Sequence, residues 1–392
     1  MNKYIQDSIR NNSRSILKDL TRPQQKSLAE ILRGLFTVGE PILRRLAQDE
    51  TKTAKKQGEK YARHLENVSI KNKVELLALK RVKTDIRKTT IIAYDLTDIA
   101  KSSAKKIEKL TKVWDGSARK AVNGFELHGV GINNILTKLE VHDGDCYTRN
   151  QVRSKIVTEI SQELGFQGIW VFDRGNDDKA FFSFLRHELD VEFIARIRGN
   201  RNVVIKKTGV LEKVQNLKPG RYQVFFMNRF NNRVDTSTEF TLIIDEHMED
   251  HEPIRLLCRL KSSYSLKQIV TMYLERWGVE NLFKRLKQKF GLEKIRVLNH
   301  QKFVNLVALV HLAVLVSTIT FVKMHQSTLS LITGVLLLYK KFVHLKNLSQ
   351  NLDSFISFMQ CSLKPLSIRK PPPPPNQQSL FSRRLLEKLG SF

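Results

Sequence analysis

Two short β-prone runs, each closing in an aspartate, constrain this chain more than any other feature. Thr90-Ile91-Ile92-Ala93-Tyr94-Asp95 follows a helical stretch, and Ile169-Trp170-Val171-Phe172-Asp173 follows Gly168. Runs this brief and this continuously apolar suit strands covered on both faces. Helix-prone segments lie after each, Lys155 to Glu163 and Ala180 to His187. The pattern predicts a mixed α/β core in which carboxylates meet at strand ends. An ordinary turn acid at Asp95 and a salt bridge from Asp173 to Arg174 are the plainer alternatives. An acid at the buried end of a strand is costly, however, unless it is paired or metal-bound.

Around these runs the chain changes character several times. Residues 1 to about 80 read as helical and basic: Ser27 to Phe36 has helical apolar spacing, Pro41 suits a helix start before Ile42, and Lys52, Lys55, Lys56, Lys60, Arg63 and His64 follow. Small basic helices of this kind suit phosphate contacts, or else a helical cap on the next domain. Gly124 to Val130 and Leu136 to Val141 predict strands beside the first, and Glu192 to Arg198 another before the break at Gly199-Asn200. Short alternating runs from Asn202 to Arg259, with turns at Pro219-Gly220 and Asn231-Asn232, predict a β-rich insertion or continuing strands of the sheet.

The third feature is a helix, Tyr273 to Lys287. At helical spacing Tyr273, Arg276, Glu280 and Lys287 share a narrow stripe, with Trp277 beside them. Val279, Leu282, Phe283 and Leu286 form an apolar stripe elsewhere, so the helix can dock and still present its polar face. Surface charges paired along a helix are the plain reading. The functional one is a carboxylate for a divalent cation, flanked by cations that hold phosphates.

Charge favours the functional reading. The 392 residues carry 67 Lys and Arg against 39 Asp and Glu, a formal charge of +28, with 41% hydrophobic residues. That describes a folded protein with a polyanionic partner, nucleic acid first and an anionic membrane surface second. DNA affinity is then expected to fall steeply with salt. Cys146, Cys258 and Cys361 lie far apart, with neither zinc-ligand spacing nor a disulfide framework, which fits a reducing compartment. The N-terminus leads into no apolar run, so no secretory signal is expected. Phe303 to Val322 would just span a bilayer and Leu329 to Tyr339 repeats the impression, but Asn305, His311 and several Ser and Thr interrupt the first. The expectation is a buried core helix pair and no membrane. No P-loop, HExxH, GxSxG or Rossmann glycine run occurs, so nucleotide hydrolysis by a P-loop and zinc proteolysis are unsupported.

Asp95, Asp173 and Glu280 can converge although far apart in sequence. Three oxygen ligands suit a pair of Mg²⁺ or Mn²⁺ ions, one activating water or a 3′-hydroxyl and the other stabilising the leaving oxygen. Arg276 can clamp a phosphate bidentately, Lys287 can act as a point charge on the next, Tyr273 can donate a hydrogen bond, and Trp277 can stack on an unpaired base or serve as core.

Here the chain resembles a known family. Tyr273, Arg276, Glu280 and Lys287 match throughout the Tyr-Arg-Glu-Lys signature of bacterial DDE transposases of the insertion-sequence-four type. Asp95, followed by Thr97, resembles the family's first catalytic aspartate, and Asp173 in Phe172-Asp173-Arg174-Gly175 the second. Phe125-Glu126-Leu127-His128 resembles a strand segment between the two. The resemblance covers roughly residues 20 to 360. It is less clear around Leu96, and the terminal polyproline segment and basic helix have no counterpart.

The resemblance implies an α/β fold with an RNase H-like mixed sheet core and a β-rich insertion, between helical N- and C-terminal regions. The expected divisions are a helical DNA-binding region over 1–85, the first part of the core over 86–200, the insertion over 201–262, the catalytic helix over 263–300, and a helical C-terminal region with the polyproline segment over 301–392. It further implies cut-and-paste transposition. A homodimer would bind terminal inverted repeats, cleave with Asp95, Asp173 and Glu280 holding Mg²⁺ or Mn²⁺, pass through a hairpin, and join the ends to target DNA. Arg276 and Lys287 would contact phosphates near the cut, and Arg196 or Arg198 would stabilise the hairpin. The enzyme would be cytoplasmic and nucleoid-associated. The alternatives are a metal-dependent nuclease on the same core and a catalytically dead DNA-binding derivative.

Overall fold

The computed structural model describes residues 2–47, 53–115, 119–227, 233–249, 252–324 and 351–363. The Asn231-Asn232 turn, the apolar stretch Leu329 to Tyr339, the polyproline segment and the tail from Ser379 lie outside the described residues.

A mixed β-sheet organises them. Strands β1 (Ile91–Ala100), β2 (Thr111–Asp115), β3 (Lys120–Ile132) and β4 (Ile135–Val141) come first in the chain. The next are β5 (Ile169–Phe172), β6 (Glu192–Arg196), β7 (Asn202–Ile205), β8 (Leu211–Lys213), β9 (Gly220–Met227), β10 (Val234–Glu249) and β11 (Glu252–Arg259). The sheet order is β2-β3-β1-β5-β6-β11-β10-β9-β7-β8, and β4 also pairs with β3. The two apolar runs are the parallel neighbours β1 and β5, with β6 parallel on the far side of β5. All other pairings are antiparallel. The strands after Gly199 return through β11 onto the edge of β6, so they extend the same sheet rather than forming a separate one.

Alternation along β1 sends its side chains to two different layers. Ile92 and Tyr94 join a core with α6 (Arg149–Glu163) and α7 (Lys179–His187). Ala93 and Ile99 join another with α9 (Trp277–Lys284) and α10 (His300–Lys323). Helix α9 lies on β3 over Gly129 and Gly131. A Cβ at Gly129 would stand 2.5 Å from the Phe283 ring, so the missing side chain is what lets the helix come so close. Helix α8 (Leu266–Leu274), capped by Ser265 and Gln268, precedes α9 and buries Ile269 and Tyr273 against Val171, Ile194 and Leu256.

The N-terminal helices are α1 (Asn2–Leu17), α2 (Arg22–Val38), α3 (Leu43–Leu46), α4 (Ala54–Glu66) and α5 (Lys71–Lys83), and they pack around α10. By length and composition α10 passes for a membrane span, yet 94% of its most apolar window is buried inside the protein. The polar residues in its buried stretch find partners within the fold. Asn305 donates to the Leu65 and Val68 carbonyls, both at 2.8 Å, and accepts from the Ile70 amide at 3.3 Å. His311 Nε2 donates to the Leu136 carbonyl at 2.7 Å, and Ser8 meets Thr320 at 2.6 Å. The expected core helix is therefore present as α10. The final described helix, α11 (Leu352–Leu363), is tied to the turn that follows α9 by Arg285–Asp353 at 3.1 Å and by Gln360 donating to the Lys289 carbonyl at 2.7 Å.

Candidate active site

Register alone brings the two aspartates together. Tyr94 is paired with Phe172 across the parallel β1–β5 ladder, and Phe172 with Ala195 across β5–β6. The next residue on each strand is then Asp95, Asp173 and Arg196, side by side across three parallel strands. Asp173 ends its strand and caps a short 3₁₀ turn, Arg174–Asn176. Asn176 Nδ2 donates to Asp173 Oδ1 at 2.5 Å, while Asn176 Oδ1 accepts from the buried Arg153 at 3.1 Å. A Cβ on Gly175 would lie 3.1 Å from Asp173 Oδ2, so glycine leaves the carboxylate room.

The third acid arrives on α9. Arg276 Nη1 stands 3.1 Å from Asp95 Oδ2 and 2.9 Å from Glu280 Oε1, so one guanidinium joins the strand acid to the helix acid. Burial pushes the Asp95 carboxyl up to about 7; Arg276 opposes the rise, and the charges of Asp173 and Glu280 add to it. The Leu96 amide donates to Asp95 Oδ1 at 2.8 Å. Burial alone would lower the Arg276 pKa, but Asp95, Tyr273 and Glu280 drive it up, so its charge is secure. The structure thus gathers the three predicted acids, with a cation already standing between two of them. The three carboxylates offer oxygen donors of the kind a hard divalent cation takes, although their oxygens do not all lie within 4.8 Å of one another.

The expected single helix from Tyr273 to Lys287 is divided. Helix α8 stops at Leu274, and the Arg276, Gly278 and Val279 amides donate three residues back, a tightened turn leading into α9. Gly278, with the weakest helix propensity here, is the second residue of α9, and its amide is one of those three. After Lys284 the chain widens into a π-helical turn, Arg285–Lys289. Tightening and widening change the rotation per residue, yet Arg276 still reaches Glu280 one turn on. Tyr273 is fully buried, with the Arg276 guanidinium 5.7 Å from its ring centre. Trp277 is 47% exposed and Glu280 half exposed, whereas Lys287 pairs with Glu293 at 3.1 Å. Arg196 is buried beside Asp173, and Arg198 is exposed, its amide donating to Asp177 at 2.9 Å.

A second constellation lies on the opposite face of β1 and β3. Tyr94 Oη meets His128 Nδ1 at 2.5 Å, and His128 Nε2 and His142 Nδ1 each stand 3.4 Å from Glu126 Oε1. Arg149 donates through Nε to the same oxygen at 2.8 Å and grips Oε2 as well. Despite burial, the neighbouring His128 and the Arg149 guanidinium hold Glu126 down at about 2, while burial lowers the His128 pKa. Among the described residues, Glu126, His128 and His142 are the one set of possible metal ligands whose atoms all lie within 4.8 Å of one another.

Sequence reasoning missed Asn176 and Arg153, which hold Asp173, and the grouping around Glu126. For the first, the signal was the Arg174-Gly175-Asn176 turn; for the second, the i, i+2 spacing of Glu126 and His128 on one strand face.

No curated protein matches the chain. Among solved structures, the cryo-EM structure of a piggyBac transposase synaptic complex with hairpin DNA aligns with 99% of this chain and 82% of that one, at a TM-score of 0.51 and 12% identity. That likeness is one of fold. A family model described as the transposase DDE domain matches residues 86–316, from just before β1 into α10, and the chain belongs to that family.

Proposed function

We propose that this protein is a cut-and-paste DNA transposase of the insertion-sequence-four type, which nicks DNA at the ends of an element and joins them to target DNA. The observation that carries the reading is the Arg276 bridge: one buried guanidinium on Asp95 and Glu280, with Asp173 beside Asp95 in register. The spacing of Tyr273, Arg276, Glu280 and Lys287 supports the narrower family. The solved structure with the same fold is titled as a synaptic complex with hairpin DNA, which supports DNA ends as substrate; a homodimer is the working form that the family resemblance implies.

Asp95, Asp173 and Glu280 would hold Mg²⁺ or Mn²⁺, which supplies charge stabilisation at the reacting phosphate and a more acidic nucleophile. The chain's own groups do the rest. Asn176, braced by Arg153, fixes the Asp173 carboxylate, and the Leu96 amide fixes that of Asp95. Tyr273 acts from beneath as a floor for Arg276 rather than as a phosphate donor. Arg276 holds the acids together until a phosphate competes for its guanidinium. Trp277, exposed beside Glu280, offers a stacking face for a base freed at the cut. Lys287 and Arg198 supply positive charge at the rim, and Arg196, buried beside Asp173, is the better placed of the two strand arginines to meet a hairpin phosphate. A cytoplasmic, nucleoid-associated location follows from this reading.

The test is cleavage of a labelled duplex carrying the element's own terminal repeat, with and without Mg²⁺, by wild type and Glu280→Gln. Metal-dependent nicking at the boundary, lost in the variant, and joined products with a target plasmid are expected. Nicking without joining would leave a nuclease; binding with no cleavage by either protein would overturn the catalytic assignment.

A further inference from the structure

The cluster on the far face of the sheet from the acids is built as a metal site of a different chemistry. We propose that Glu126, His128 and His142 bind a zinc ion, separate from the hard cations of the carboxylate site.

Geometry supports this first. In a tetrahedral site with Zn–N bonds of ~2.0–2.1 Å, neighbouring ligand atoms stand about 3.3–3.4 Å apart. Glu126 Oε1 lies 3.4 Å from His128 Nε2 and 3.4 Å from His142 Nδ1, and the two rings are nearly perpendicular at 87°. A charged N–H···O⁻ hydrogen bond would close to ~2.7–2.9 Å. The atoms are spaced for an ion between them rather than for direct bonding.

Each histidine is also oriented from behind. His142 Nε2 lies 2.8 Å from the Tyr147 carbonyl, which only accepts, so that nitrogen carries the proton and Nδ1 presents its lone pair to Glu126. His128 Nδ1 meets Tyr94 Oη at 2.5 Å; with Nδ1–H donating to that oxygen, Nε2 faces inward with its lone pair. His128 is completely buried and its Nε2 has no hydrogen-bond partner, an orphaned polar atom aimed into the cluster. Ligating imidazoles ordinarily use their second nitrogen in just this way, and ligating carboxylates are held by further hydrogen bonds, as Arg149 holds Glu126. Two imidazoles and one carboxylate form a borderline-soft donor set that suits zinc and not magnesium.

The ion would tie β3 to the segment after β4. Through His128 it would also fix Tyr94, the residue next to Asp95, giving the catalytic strand a brace on its reverse side.

The test uses the full chain, dialysed against metal-free buffer and titrated with Co²⁺ as a spectroscopic probe, then with Zn²⁺. One equivalent of Co²⁺ with the intense visible bands of tetrahedral coordination is expected, displaced by Zn²⁺, which should also raise the melting temperature. His142→Ala, with His142→Gln as a second variant should the first not fold, should lose both the bands and the thermal shift. Asp95→Asn should keep both, which separates this site from the carboxylate site whatever becomes of the catalytic reading. Absence of tetrahedral bands in wild type, or their survival in a folded His142 variant, would overturn the proposal.

Discussion

Asp95→Asn should make the protein more stable at neutral pH, and by an amount that grows with pH. The Asp95 carboxyl rises from 3.8 to about 7 on folding, and burial is the main cause. Below pH 4 it is protonated whether the chain is folded or not, so aspartate and asparagine differ little. As pH climbs from 4 to 7 the unfolded chain releases its proton while the folded chain keeps it. Stability present at low pH is therefore lost as pH rises through the folded value. A rise from 3.8 to about 7 is worth roughly 4 kcal/mol across the window, at ~1.4 kcal/mol for each pH unit. Only 13% of the side chain is exposed, so solvent screening takes little from it. Asparagine keeps an oxygen for the Leu96 amide and, being neutral, leaves Arg276 its bond to Glu280. The assay is urea unfolding of wild type and variant from pH 4 to 8 in chelator, with the difference in midpoint stability plotted against pH. A difference that does not change between pH 4 and 7 would refute the reasoning. One that shrinks when Mg²⁺ replaces the chelator would show the cation relieving the same buried charge.

Gly129→Ala should displace α9 from β3, because the new methyl would meet the Phe283 ring at 2.5 Å; overpacking of this kind costs about 1–3 kcal/mol. Melting temperature and Mg²⁺-dependent cleavage should fall together, and an unchanged melting temperature would contradict the packing described. His311, fully buried and bonded to the Leu136 carbonyl, has its pKa pushed down by burial to about 4. Its contribution is complete above the ordinary histidine value and lost as pH falls through the folded one. Relative to His311→Gln, wild type should lose about 3 kcal/mol between pH 6.5 and 4, which acid unfolding curves would reveal.

The acids were legible because each lies where a local pattern ends: Asp95 and Asp173 follow continuous apolar runs, and Glu280 keeps helical spacing from Arg276. Their nearness to one another was not. It depends on the β1–β5 register and on the Gly129 seat for α9, both long-range facts with no local signature. The division between Leu274 and Trp277 escaped the periodicity for a related reason. Apolar residues at 279, 282, 283 and 286 fit an unbroken helix, while the tightened turn is favoured by Gly278 and by the pull of Asp95 on Arg276. Tyr273 lies beside Arg276, where the spacing puts it, but its full burial depends on the packing of α8 against β5 and β6, which has no local signature. Conversely α10, which composition alone could assign to a membrane, was legible as core through Asn305 and His311, two polar residues that need protein partners.

The position of α10 also sets the order in which this protein can be completed during its own synthesis. Leu65, Val68 and Ile70 are made early, but the Asn305 side chain that satisfies their backbone groups comes more than two hundred residues later. At ~5–20 residues per second, the helices through Lys83 would wait roughly 10–45 s for His300 to leave the ribosome. During that interval Leu28, Ile31, Leu35 and Leu65, all buried in the finished protein, have no permanent cover. The first five helices therefore stay without their central partner for that interval, and truncation before residue 300 should lower the yield of soluble protein.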